Sequence, residues 1–239
     1  MNPLDRVRLQ KAAADCGFEM TATDRDDGLE LRSARFPEAV HVRLLEGASF
    51  ELRATNPLLL DEPIESGLTQ VTGYGALYAA LKLAAVRART MPNRVADAFR
   101  IEIADLPRST EAERLVVQRV GQTLFRAALL DFWQGRCCVT GLDVAELLRA
   151  SHIKPWASCE SDNERLDVFN GLLLSPTMDA LFDAGLMTIG EGGTVLLSSF
   201  LSADAVAALV MQPPGPIKGL RPQHAGYLRY HRALVWRGS

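Results

Sequence analysis

The sequence predicts an α+β protein in two parts: a small α+β N-terminal module over residues 1–104 and a C-terminal domain of ββα-metal layout over residues 111–239. Three observations predict it. Residues 29–54 hold three short runs that alternate apolar and charged side chains, as in His41-Val42-Arg43-Leu44, the period-two pattern of strands with one wet face. A long helical pattern begins at Glu111. Beyond it the chain reads strand, loop, strand, helix, with a histidine on the first strand and two aspartates on the helix. With 239 residues, 48% of them hydrophobic, there is material for one large core or two small ones.

In chain order, residues 3–16 read as a helix with a partial apolar stripe from Leu4, Val7 and Ala12, stopped by Gly17. Strands follow at 29–33, 40–45 and 49–54, the last two joined by a turn at Glu46-Gly47-Ala48. Residues 74–90 read as an Ala- and Leu-rich helix, ended by Met91-Pro92-Asn93. The domain boundary is placed between Ala104 and Glu113, where Ser109 or Thr110 with Glu113 makes a helix start. The helix from Glu111 to Trp133 carries Leu115, Val120, Leu124, Phe125 and Leu129 at helical spacing, with Arg114, Arg119 and Arg126 on its other face. Those arginines fit a solvated face or phosphate contacts equally well. Residues 135–141 read as a short strand and turn, 143–148 as helix-like, 150–154 as a strand and 157–168 as a polar loop. A strand at 171–174, a helix opened by Ser175-Pro176 and closed by Gly185, and a hairpin of 186–189 with 194–197 come next. Pro213-Pro214-Gly215-Pro216 marks a turn or linker before a last helix at 223–235.

Composition narrows the function classes. A net charge of -3 argues against a strongly basic nucleic-acid binder, although a local basic face matters more than the total. Four irregularly spaced cysteines fit a reducing compartment and buried free thiols. The adjacent pair Cys137-Cys138 and the isolated Cys159 lack the paired spacing of a zinc knuckle. The N-terminus has no apolar central run of a signal peptide, and no stretch reaches the roughly 18 apolar residues of a membrane span. A cytoplasmic protein without membrane partners is the expectation.

The chemistry concentrates between Cys137 and Asp183. Asp179 and Asp183 lie four apart on a helix and so share one face, where two carboxylates repel unless a cation or proton sits between them. Oxygen ligands suit magnesium or manganese, with nickel and zinc also admitted. His152 is positioned to act as general base on an attacking water, and Asn170, on the next strand, to fix the imidazole by a hydrogen bond. Lys154, Arg149 and Arg126 flank these groups as candidate phosphate contacts.

These residues carry a resemblance. Ser-His-Ile-Lys-Pro-Trp (Ser151 to Trp156) and Asn-Gly-Leu-Leu-Leu-Ser (Asn170 to Ser175) resemble a branch of the HNH endonuclease family. The branch's other elements stand in the same order: Gly121, Gln122, Phe125 and Arg126; Cys137 to Gly141; Asp179 to Asp183; and Tyr227, Tyr230, His231 and Arg232. The resemblance spans roughly residues 111–236. It implies a ββα-metal nuclease domain, DNA as partner, restriction- or defence-type cleavage with one divalent metal, His152 as base and Asn170 as the middle letter of the motif. It is also compatible with a homodimer, since two-strand cutting often uses two copies. Two positions depart from the family: Asp179 stands where histidine is usual, and Ser151 where related nucleases often have an aspartate ligand. A catalytically degenerate DNA-binding or regulatory protein is therefore the alternative. The N-terminal module carries no recognised motif and is expected to serve substrate recognition.

Overall fold

Asn2 accepts a hydrogen bond from the Asp5 backbone N–H and so starts helix α1, Pro3–Asp15, with proline in its first turn. The computed structural model describes residues 2–60, 68–91, 93–107, 109–209 and 216–238; Pro92 and the expected turn at Pro213 to Gly215 lie outside them. The chain divides into two compact units, residues 1–89 and 90–239. The first holds α1, strands β1 (Thr23–Arg25), β2 (Gly28–Ser33), β3 (Phe36–Leu44), β4 (Ser49–Ala54) and β5 (Thr69–Thr72), and helix α2 (Tyr74–Arg89). Its strands form an antiparallel sheet in sequential order.

Register explains the sheet's two faces. Leu29 pairs with Val42 and Val42 with Leu52, and all three are fully buried, as are Leu77 and Leu81 of α2. On the other face Glu30 is bridged by Arg25 and Arg32, and Arg43 by Asp27 and Glu51. Each buried leucine contributes about 1.5–3 kcal/mol, whereas the ion pairs set Glu30 and Glu51, themselves largely covered, against more exposed arginines. Strands β1 and β5, three and four residues long, are additions to the three that alternation predicts.

The second unit begins with α3 (Arg94–Glu102), which precedes the boundary expected from sequence and buries Val95, Ala96 and Phe99. Helix α4 (Glu111–Phe132) opens with a Thr110/Glu113 capping box. Then come β6 (Arg149–His152), the short α5 (Asp162–Arg165), β7 (Gly171–Leu174), α6 (Pro176–Asp183), β8 (Met187–Ile189), β9 (Val195–Leu197), α7 (Ala203–Ala208) and α8 (His224–Leu234). Strand β7 is buried at every residue, which explains its unbroken apolar run. It pairs antiparallel with β6. Phe125, Leu129, Leu172, Leu173 and Phe182 belong to one apolar cluster.

Residues 137–148 differ from the sequence expectation: neither a strand nor a helix forms. The Cys137 N–H donates to the Leu142 carbonyl and the Gly141 N–H to the Cys137 carbonyl, folding the segment into a turn with Gly141 at φ 74°. The expected polar loop also contains α5, capped by Ser161. All four cysteines are free thiols, and Cys16, Cys137 and Cys159 are buried.

Candidate active site

The site is built on the β6–β7 hairpin, whose side chains alternate between two faces. His152 stands opposite Gly171 and faces α4, where it stacks on Phe125 with ring centroids 4.0 Å apart and planes at 17°. Gly171 makes this possible, because a Cβ there would lie 2.7 Å from both Phe125 and Leu129. Trp156 closes the slot edge-on, 5.4 Å from the imidazole. Its indole in turn requires Gly121 on α4, where a Cβ would approach it to 3.0 Å. Four residues scattered over 50 positions thus shape one imidazole pocket.

A backbone group orients the ring. His152 Nε2 lies 2.8 Å from the Arg165 carbonyl oxygen. A carbonyl only accepts, so Nε2 carries the proton and Nδ1 keeps its lone pair. Burial pushes the His152 pKa below its ordinary value, opposed by that hydrogen bond, so the ring is neutral at neutral pH. The Arg165 guanidinium bonds the carbonyls of Trp156 and Cys159 and pairs with Asp162, which pins the loop that presents the carbonyl.

Asn170 is fully buried but acts at one remove from the imidazole. Its Oδ1 accepts from the Lys154 N–H at 2.7 Å, and its Nδ2 donates to the carbonyls of Lys154 and Glu164 at 3.2 and 3.1 Å. It therefore ties the end of β6 to the residue preceding Arg165, and fixes the ring through the loop instead of by the direct bond expected. Sequence spacing holds no sign of this, since the groups joined are backbone atoms.

On the opposite face of the hairpin, Ser151 Oγ lies 3.4 Å from Asp183 Oδ1, with Asp179 one turn earlier on α6. Partial burial and then the Asp179 charge push the Asp183 pKa above the usual carboxylate range, opposed by Ser151. The one-turn spacing read from sequence does bring the two acids together. Among the described residues, no group of three His, Cys, Asp or Glu is placed to hold a metal. The available donors are two carboxylates and one hydroxyl, all hard oxygens. They fit a divalent ion that keeps water and phosphate oxygens in its remaining positions, because a cation would relieve the repulsion between the acids.

The three candidate phosphate contacts separate. Arg149 is exposed at the start of β6 and, two residues from Ser151, shares its face. Lys154 is instead ion-paired to Glu164 at 2.7 Å, with its ammonium 5.3 Å from the Tyr230 ring. Arg126 donates to the carbonyls of Leu148 and Ala145; it clamps the turn before β6. The late Tyr and His motif is likewise structural. The Tyr227 hydroxyl donates to Asp167 at 2.9 Å, and buried His231 bonds Thr188 and the Phe182 carbonyl while stacking on Phe182 at 3.8 Å.

No curated protein matches the chain. Residues 137–190, which contain the turn, the hairpin and α6, match the family model described as HNH endonuclease. This matched segment, within the C-terminal half of the chain, is thus similar to an HNH endonuclease domain.

Proposed function

We propose that the chain is a metal-dependent endonuclease that hydrolyses DNA phosphodiester bonds, in restriction- or defence-type cleavage. The observation that carries this reading is the His152–Arg165 hydrogen bond, which leaves a neutral imidazole with an open Nδ1 one residue from Ser151 and the Asp179/Asp183 pair. His152 and Ser151 face opposite sides of β6, and β6 is paired with β7 alone. A phosphodiester lying along the free edge of β6 meets the base on one side and the acids on the other. His152 Nδ1 takes the proton of the attacking water, and the surrounding loop keeps the ring from turning away. Asp179 and Asp183, with the Ser151 hydroxyl, would hold magnesium or manganese, which supplies charge stabilisation at the scissile phosphate and leaving oxygen. Arg149 would contact the flanking backbone. The N-terminal unit would select the substrate; its sheet-face arginines are largely matched by carboxylates, so selection there would rest on shape and hydrogen bonding more than on net positive charge.

A second reading is a DNA-binding protein that keeps the fold without cutting. It is favoured by Asp179 at the usual histidine position and by the lack of a three-ligand cluster among the described residues. Incubating the protein with supercoiled plasmid in magnesium, manganese, nickel or chelator separates the two. Nicking or linearisation that needs metal supports the nuclease, and DNA binding with no cutting in any metal supports the binder.

A further inference from the structure

Residues 205–239 contain five of the chain's 26 lysines and arginines and none of its 29 carboxylates, within a protein of net charge -3. The structure shows where this charge is mounted. Helix α8 is fastened to the candidate site's own framework: Tyr227 bonds Asp167, Tyr230 lies beneath Lys154, and Arg232 donates to the Ile189 carbonyl at 2.8 Å. Beyond α8, the Arg237 N–H donates to the Gly185 carbonyl at 2.9 Å, two residues past Asp183. Arg232 is thereby used internally, whereas Arg229 and Arg237 are exposed and have no ion-pair partner among the described residues. Lys218, before α8, is also exposed. On α8 the exposed positions around Arg229 are Ala225, Gly226 and Ala233, small enough for a polyanion to approach the helix closely. Arg25, Arg43, Lys154 and Arg165, by comparison, end on carboxylates.

We propose that α8 and its tail form a docking surface for the phosphate backbone of duplex DNA, anchored by Arg229 and Arg237. The proposal rests on the nuclease reading and adds to it the element that holds substrate against the hairpin. Charge complementarity supports it: a run of cations without a carboxylate, on a rigid mount, is the electrostatic form of a phosphate-binding surface.

The test is fluorescence anisotropy with a labelled DNA duplex in chelator, so that nothing is cut, across a sodium chloride series. The double variant Arg229→Gln/Arg237→Gln is expected to lower the slope of log affinity against log salt by about 2, with affinity falling on the order of tenfold to a hundredfold. The charge-matched control Arg8→Gln/Lys82→Gln, on the exposed surface of the first unit, is expected to keep the wild-type slope. An unchanged slope in the Arg229/Arg237 variant overturns the proposal, as does wild-type protein that binds phosphatidylserine vesicles but no duplex. Plasmid cleavage by wild type and His152→Ala reads the nuclease assignment separately. Metal-dependent cutting with an unchanged slope removes this surface alone, and a lowered slope without any cutting removes the nuclease alone.

Discussion

Packing sets the orientation and protonation of the His152 imidazole. The ring is stacked, partly buried and bonded at Nε2 to a carbonyl, so its pKa lies below the ordinary 6.5. A general base works in its neutral form, so the cleavage rate should rise with pH through a midpoint below 6.5 and then level off, where an unperturbed imidazole would place the midpoint near 6.5. A pH–rate profile under single-turnover conditions checks this; a midpoint above 6.5 would contradict it. Asn170→Ala leaves the Glu164 carbonyl and the Lys154 N–H without partners, and the Lys154 carbonyl with the Cys159 thiol alone, which costs about 1–3 kcal/mol for each stranded group. It should lower the melting temperature and also move the pH–rate midpoint, because the loop that presents the Arg165 carbonyl loosens. A melting shift with an unmoved midpoint would mean that Asn170 is structural alone. The placement of His152 on a strand and of Asp179 and Asp183 one turn apart on a helix was legible in sequence, because it follows from local spacing. The work of Asn170 was not, because its partners are loop backbone atoms.

At the scale of elements, the hairpin and α4 interlock through two missing side chains. Gly171→Ala would drive a methyl group to 2.7 Å from Phe125 and Leu129, and overpacking of this kind costs about 1–3 kcal/mol. We expect lowered stability in urea unfolding together with a loss of cleavage, since the Phe125 ring that supports His152 must shift; full activity would contradict the slot as described. Helical and strand periods gave α1, α2, α4, α6, α8 and most of the sheet of the first unit. The segments that escaped were short. Helix α3 has nine residues and β1 only three, too few for a period to stand out. The turn at residues 137–148 has apolar residues in strand-like density but is folded by backbone hydrogen bonds and by the Arg126 clamp, neither of which a hydrophobic pattern encodes.

The whole molecule carries a pH liability in its buried histidines. His224 is 1% exposed, sits among Phe132, Trp133 and Phe169, and has an Nε2 without a partner. Burial lowers its pKa to about 4, and burial also lowers that of His231. The folded state therefore resists a proton that the unfolded chain accepts near 6.5. Stability from His224 is complete above pH 6.5, is lost as pH falls from 6.5 to about 4, and levels off below. The 2.5-unit difference corresponds to about 3 kcal/mol. Urea unfolding at pH 7.5, 5.5 and 4 should show this decline, and His224→Gln should flatten it; an equal decline in the variant would place the liability elsewhere. No described helix is long and apolar enough to cross a membrane. In the proposed reaction a neutral His152, held by a carbonyl on the face of β6 opposite the acid pair, is the base of the phosphodiester hydrolysis. The most direct test of this role is single-turnover plasmid cleavage in manganese by wild type and His152→Ala, with folding matched by circular dichroism. Loss of the base should slow cutting by a factor on the order of 10²–10⁴ while DNA binding persists, whereas cutting at the wild-type rate by the folded variant would contradict the account.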